Sequence, residues 1–235
     1  MKKQALLAAV ALVAPVMLGT GVSAATNSSQ TASSGSQPNT PVTADFTVSS
    51  TDATNPTPPS PATPGAGGAV TPGNKPLNPT STFAVSYLPS QFSFGSITLT
   101  GQNTVNVPAT TQANKTFNVG IKNTTHRSTG WTLRAQLTGD LANYGAKVTT
   151  TTSASSAKLN NNGNLTTLPN GMITVTQNAQ ITSTPSTIMT GNNGHVFAGT
   201  YDLNLGSVSL NIPDTTKVPA GQATGQVNWN LTQTP

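Results

Sequence analysis

From Phe83 onward apolar residues recur at every second position, the period of a strand with one buried face. Phe83, Val85 and Tyr87 alternate with polar neighbours, as do Phe92 and Phe94, and after Gly95 the alternation resumes at Ile97 and Leu99. The pattern returns at Phe117, Val119 and Ile121, and at Trp131, Leu133, Ala135 and Leu137. Ile173 and Val175 follow, then Val208, Leu210 and Ile212, and finally Val227, Trp229 and Leu231. Turn-forming residues separate these runs at Thr100 to Asn103, Asn160 to Asn164 and Pro219-Ala220-Gly221. No segment carries a helical period. Many short antiparallel strands predict an all-β domain, a β-sandwich or a barrel-like fold, with threonine on the solvent faces.

The chain before Phe83 has a different texture. Phe46 and Val48 alternate within Thr43 to Ser49 and predict a short strand. Prolines recur between Asn55 and Pro79 beside Gly65, Gly67, Gly68 and Gly73, which predicts a loop or linker of extended backbone. Thr26 to Thr40 is almost wholly Ser, Thr, Gln, Asn, Gly and Ala, too polar to offset the entropy of ordering. Lys2 and Lys3, the apolar run Ala5 to Leu18 and the small residues Val22-Ser23-Ala24 have the form of a secretory signal cleaved after Ala24. That run is shorter than the ~20 residues of a spanning helix and contains Pro15. The expected organisation is a signal peptide over 1–24, a disordered leader over 25–40 and a β domain over 41–235 that includes the Pro-rich loop 55–79.

Composition narrows the chemistry. There is no cysteine, so neither a lipidated cysteine nor a disulfide framework is available. The acidic residues are Asp45, Asp52, Asp140, Asp202 and Asp214, with no glutamate. Without Lys2 and Lys3, eight of the ten basic residues face five aspartates, a net charge of +3. That is too dilute for a nucleic-acid footprint, though compatible with a polyanionic wall. The two histidines, His126 and His195, accompany no G-x-S-x-G elbow, and the aspartates form no metal-binding pattern, so no catalytic residue, metal or cofactor is expected. His126 falls in a polar Lys122 to Ser128 loop. No Leu-Pro-x-Thr-Gly sorting sequence is present; Leu168-Pro169-Asn170-Gly171 is a superficial echo.

Two segments, Gly130 to Leu137 with Trp131-Thr132-Leu133, and Val227 to Pro235 with Trp229-Asn230-Leu231, resemble the paired W-x-L motifs of the WxL-domain surface proteins of low-GC Gram-positive bacteria. The likeness extends to Ala44 to Ser49, to Leu88 to Gly95 and to the Val218-Pro219-Ala220-Gly221 turn. It departs at Ala223, where the family usually carries a tyrosine, so no role of that tyrosine carries over and Trp229 is expected to be the more exposed of the two tryptophans. The resemblance implies non-covalent attachment to the cell wall, to peptidoglycan or another wall polymer. It also implies surface complexes with other WxL proteins and a membrane-anchored companion. Trp131, Thr132, Leu133, Trp229, Asn230 and Leu231 are the candidate wall-binding residues. Alternation places both tryptophans on the face of apolar neighbours, as core anchors; the other reading makes an indole a sugar-stacking surface. The expected function is a cell-wall-binding module, the alternative a structural or adhesive subunit that contacts partner or host proteins through exposed strand edges.

Overall fold

The computed structural model describes residues 40–50, 54–63, 73–101, 103–111 and 114–234. The expected signal peptide, nearly all of the leader and residues 64–72 of the Pro-rich loop lie outside them. The chain divides after Asp45, and the described residues of the smaller unit, 40–45, are all exposed. The larger unit, from Phe46 onward, holds all the regular structure of the described residues.

Its strands are β1 (Asn74–Pro76), β2 (Phe83–Pro89), β3 (Val105–Pro108), β4 (Asn118–Asn123) and β5 (Trp131–Gly139). A one-turn helix, α1 (Asp140–Asn143), precedes β6 (Lys147–Thr150), β7 (Ala157–Asn161), β8 (Asn164–Thr167), β9 (Ile173–Val175) and β10 (Gln180–Ile181). The chain closes with β11 (Ser186–Gly191), β12 (Gly199–Asn204), β13 (Val208–Ile212) and β14 (Gly225–Gln233). They form three sheets, ordered β1-β2-β4-β12-β7-β8, β10-β6-β13-β3 and β14-β5-β11-β9, with antiparallel ladders throughout. The fold is all-β and sandwich-like, without a closed barrel. Inward rows from the sheets meet in one core: Val119 and Ile121 of β4, Leu133 and Leu137 of β5, Val148 of β6, Leu203 of β12 and Leu210 of β13.

Three expectations change. Thr43 to Ser49 forms no strand, because no described strand pairs with it; Phe46 stays 91% exposed. Phe92 to Leu99 is also not a strand. Gly95 turns into the left-handed region at φ 64, which breaks the extended run, and Phe92 instead packs edge-on against Phe117 with centroids 5.0 Å apart. Lys122, expected in a polar loop, is a buried residue of β4. The Asn-rich turn is a β7–β8 hairpin whose two central residues, Asn162 at φ 50 and Gly163 at φ 92, take the positive angles that match strand twist.

A β-bulge in β2 has wide effect. Val85 pairs with Ile121, but Tyr87 pairs with Gly120, so the extra residue between them turns Tyr87 away from the core face that Val85 shares. Its ring lies on Gly120, where any Cβ would collide with it. On that outer side Tyr87 Oη donates to Asp202 Oδ1 (2.7 Å) and accepts from Asn160 Nδ2 (3.0 Å), while Asn118 Nδ2 donates to Asp202 Oδ2 (2.7 Å). Residues 54–63 of the Pro-rich segment lie as a strap on this network. Asn74 Nδ2 donates to the Pro59 carbonyl, Asn160 Nδ2 to the Thr57 carbonyl, and Lys122 Nζ to the carbonyls of Thr54 (3.1 Å) and Pro79 (3.0 Å). Proline-rich backbone has spare carbonyls and few N–H groups, so buried amide and ammonium donors suit it.

Candidate functional site

The two W-x-L segments become neighbours. β5 and β14 pair over nine residues without a register shift, matching Leu133 with Leu231, Ala135 with Trp229, and Trp131 with Gln233. Both ends are fastened. The N–H of Thr234 donates to the Gly130 carbonyl (2.9 Å), and at the other end Asp140 Oδ2 accepts from the N–H and hydroxyl of Thr224 (3.1 and 3.2 Å).

Alternation sorts the ladder into two rows. The inner row holds Trp131, Leu133, Ala135 and Leu137, all buried, with Trp131 1% exposed. The Trp131 ring covers Gly191, which leaves no room for a Cβ, and meets Tyr201 of β12 at 5.7 Å and 48°. The indole thus joins two sheets, and its Nε1 is buried without a hydrogen-bond partner. Trp131 and Leu133 therefore have no surface to offer a ligand. Trp229 and Leu231 share the inner row but are half-buried, because β14 is the outermost strand of its sheet.

The outer row is polar. It pairs Thr132 with Thr232, Arg134 with Asn230, Gln136 with Asn228 and Thr138 with Gln226, and continues over the sheet through Thr187, Thr190 and Thr174. Asn228 Nδ2 donates to Thr138 Oγ1 (3.3 Å) and Gln136 Nε2 to the Ser183 carbonyl (2.8 Å), which holds these amides in place. Arg134 is the one charged residue of the four strands and is exposed. A depression of about 350 Å³ lies here, lined by Arg134, Gln136, Pro185, Asn228, Trp229 and Asn230. Strands ~4.8 Å apart carrying side chains every second residue make a grid of donors and acceptors, suited to a polymer rich in hydroxyl and amide groups. Of the six motif residues, then, Thr132 and Asn230 lie on this face, Thr132 largely covered and Asn230 exposed. Arg134, Gln136 and Asn228 are the further members. Their signal in the sequence was the alternation itself, which sends the residues between inward positions outward; Pro185 had no such signal.

Two other places bear on function. A broader hollow of about 870 Å³ is bordered by Val48, Ser81, Phe83, His126, Arg127 and Gln233, and among the described residues no carboxylate lines it. Among the described residues no three His, Asp or Glu side chains cluster as metal ligands. Asp202, fully buried in the strap network, is the most perturbed acid: burial pushes its carboxyl up to about 6, against a smaller downward pull from Tyr87 and Asn118. Burial, and then the charge of Asp202, push the Tyr87 phenol far above its ordinary value, so it stays a hydrogen-bond donor. Sealed beneath the strap, this cluster is structural. Among the described residues no helix is long and apolar enough to cross a membrane.

Searches of curated proteins and of solved structures give no match. The model of one family, WxL domain surface cell wall-binding, matches residues 32–235. With most of its length matched and both W-x-L segments joined in one ladder, the chain belongs to the WxL-domain family of cell-surface, wall-binding proteins.

Proposed function

We propose that the chain is secreted and held non-covalently on peptidoglycan by the outer face of the β5–β14 ladder. The observation that carries this reading is the row of Arg134, Gln136, Asn228 and Asn230 on one sheet face, where they line a depression with Pro185. Amides and the guanidinium can hydrogen-bond glycan hydroxyls and acetamido groups, and the Pro185 ring can cover their C–H surfaces. The role is binding, not catalysis. Trp131 acts through the fold by fixing β5, whereas Trp229 can reach a ligand from the sheet edge.

The test is a pull-down of the purified mature chain on protein-free peptidoglycan, repeated with Arg134→Ala/Asn230→Ala and Gln136→Ala/Asn228→Ala. These side chains lie outside the core, so the expected result is at least a tenfold loss of binding at nearly unchanged melting temperature. Wild-type binding by either double variant would refute the assignment of this face. Binding only to cells that carry companion proteins would favour the subunit reading instead. Release of muropeptides from labelled wall would contradict the non-catalytic reading.

A further inference from the structure

β14 closes its sheet with an unusually unguarded edge. Natural edge strands are blunted by charge, proline, bulges or shortness, yet Gly225–Gln233 is nine residues long, in regular register and without Pro, Lys, Arg, Asp or Glu. Among the described residues no strand covers it. Because the Thr234 N–H points to Gly130, Gln226, Asn228, Asn230 and Thr232 also turn their backbone groups towards β5. Gly225, Val227, Trp229, Leu231 and Gln233 therefore aim their N–H and C=O groups outward.

The strand is also nearly palindromic about Trp229: Asn228 and Asn230 flank it, then Val227 and Leu231, then Gln226 and Thr232. We propose that two copies of this chain associate edge to edge, β14 antiparallel to β14, about a two-fold axis through Trp229. This register sets Trp229 against its own copy and Val227 against Leu231 of the second copy, the positions with outward backbone groups. Apolar residues then meet on the inner face and amides on the outer, with no like charges opposed. Val227, Trp229 and Leu231, half-exposed in one copy, would cover one another. The two outer faces would run on as one plane. A single strand pair of ~30 Å is small for an interface, so the association should be weak and depend on concentration. It holds whatever the wall ligand proves to be.

The register makes a sharp test, because the chain has no cysteine of its own. Asn228 of one copy would oppose Asn230 of the other at a Cα separation of ~4.5 Å, within disulfide range. Mild oxidation of an equimolar mixture of the mature chains Asn228→Cys and Asn230→Cys should give a covalent dimer, and each variant alone should give far less. Sedimentation equilibrium of the wild type should show monomer and dimer at roughly 10–500 µM. N228K/N230K and N228D/N230D should each be monomeric, and their mixture should dimerise again. A wild type monomeric throughout that range, equal cross-linking of the single variants, or a dimer that persists in N228K/N230K would each overturn the proposal. Thermal melts of all variants establish that they are folded.

Discussion

Replacing Asp202 by Asn should abolish a loss of stability that the wild-type chain shows as pH rises from about 4 to 7. Asp202 lies beneath the strap with its oxygens 2.7 Å from Tyr87 Oη and Asn118 Nδ2. Two other charged side chains share its face of the sheet. Lys158 pairs across the ladder but points to Thr167, and Lys122 is committed to the strap carbonyls. Removal from water outweighs the two hydrogen bonds, so the carboxyl rises from its ordinary 3.8 to about 6. The folded chain thus binds a proton more tightly than the unfolded one. Its stabilising effect is full below pH 3.8, declines as pH rises through about 6, and is gone above that. The difference between the two values corresponds to about 3 kcal/mol, or roughly 6–12 °C in melting temperature for a domain of this size. Asp214, held low by Thr216 and Lys217, acts in the opposite sense and only in stronger acid. The assay is thermal and urea unfolding of wild type and Asp202→Asn between pH 3.5 and 8. The variant lacks the slope whatever its offset, which includes an amide donor facing Asn118. A wild type equally stable at pH 4 and 7, or a variant with the same decline, would refute the reasoning.

Three further outcomes follow from the packing. Trp131→Ala should cost about 3–5 kcal/mol by urea unfolding, and in Trp229→Phe the remaining Trp131 should emit in the blue and ignore added peptidoglycan fragments; red emission there would contradict its burial. Gly120→Ala should destabilise by at least ~1–3 kcal/mol, because its Cβ would enter the Tyr87 ring; a wild-type denaturation midpoint would show that the ring can move aside. Asn74→Ala removes the donor to the Pro59 and Thr116 carbonyls, so hydrogen exchange and protease cleavage within 54–63 should accelerate well beyond the change at β5. Equal effects at both places would mean that the strap does not depend on that amide.

The core strands were legible because each carries its own evidence: Trp131 to Leu137, Val208 to Ile212 and Val227 to Leu231 alternate without interruption. β12 had the same alternation at Tyr201 and Leu203 and is recognisable in hindsight. Other strands were not, since Lys147–Thr150 and Asn164–Thr167 are largely polar and are strands only because neighbours pair with them. The converse holds for Thr43 to Ser49, where alternation without a partner among the described strands makes no strand. Tyr87 shows a different limit. Its spacing from Val85 implied a shared face, and a single bulged residue reversed it. The family likeness pointed to the W-x-L residues, yet alternation alone would have sent attention to Arg134, Gln136 and Asn228. The departure at Ala223 led to the expectation that Trp229 is the more exposed of the two tryptophans, and it is, but the structural reason, strand order, was not in the sequence pattern.

The pairing of β5 with β14 also sets an order of events. A ribosome delivers Trp131–Gly139 long before Gly225–Gln233, and the ladder joins residues as far apart as Trp131 and Gln233. Until the later strand arrives, β5 has one side bare, and closing so long a loop slows the final step. The polar face of the β5–β14 ladder therefore comes into being only once Gly225–Gln233 has been delivered, and a chain stopped anywhere before that strand lacks half of the face's polar row.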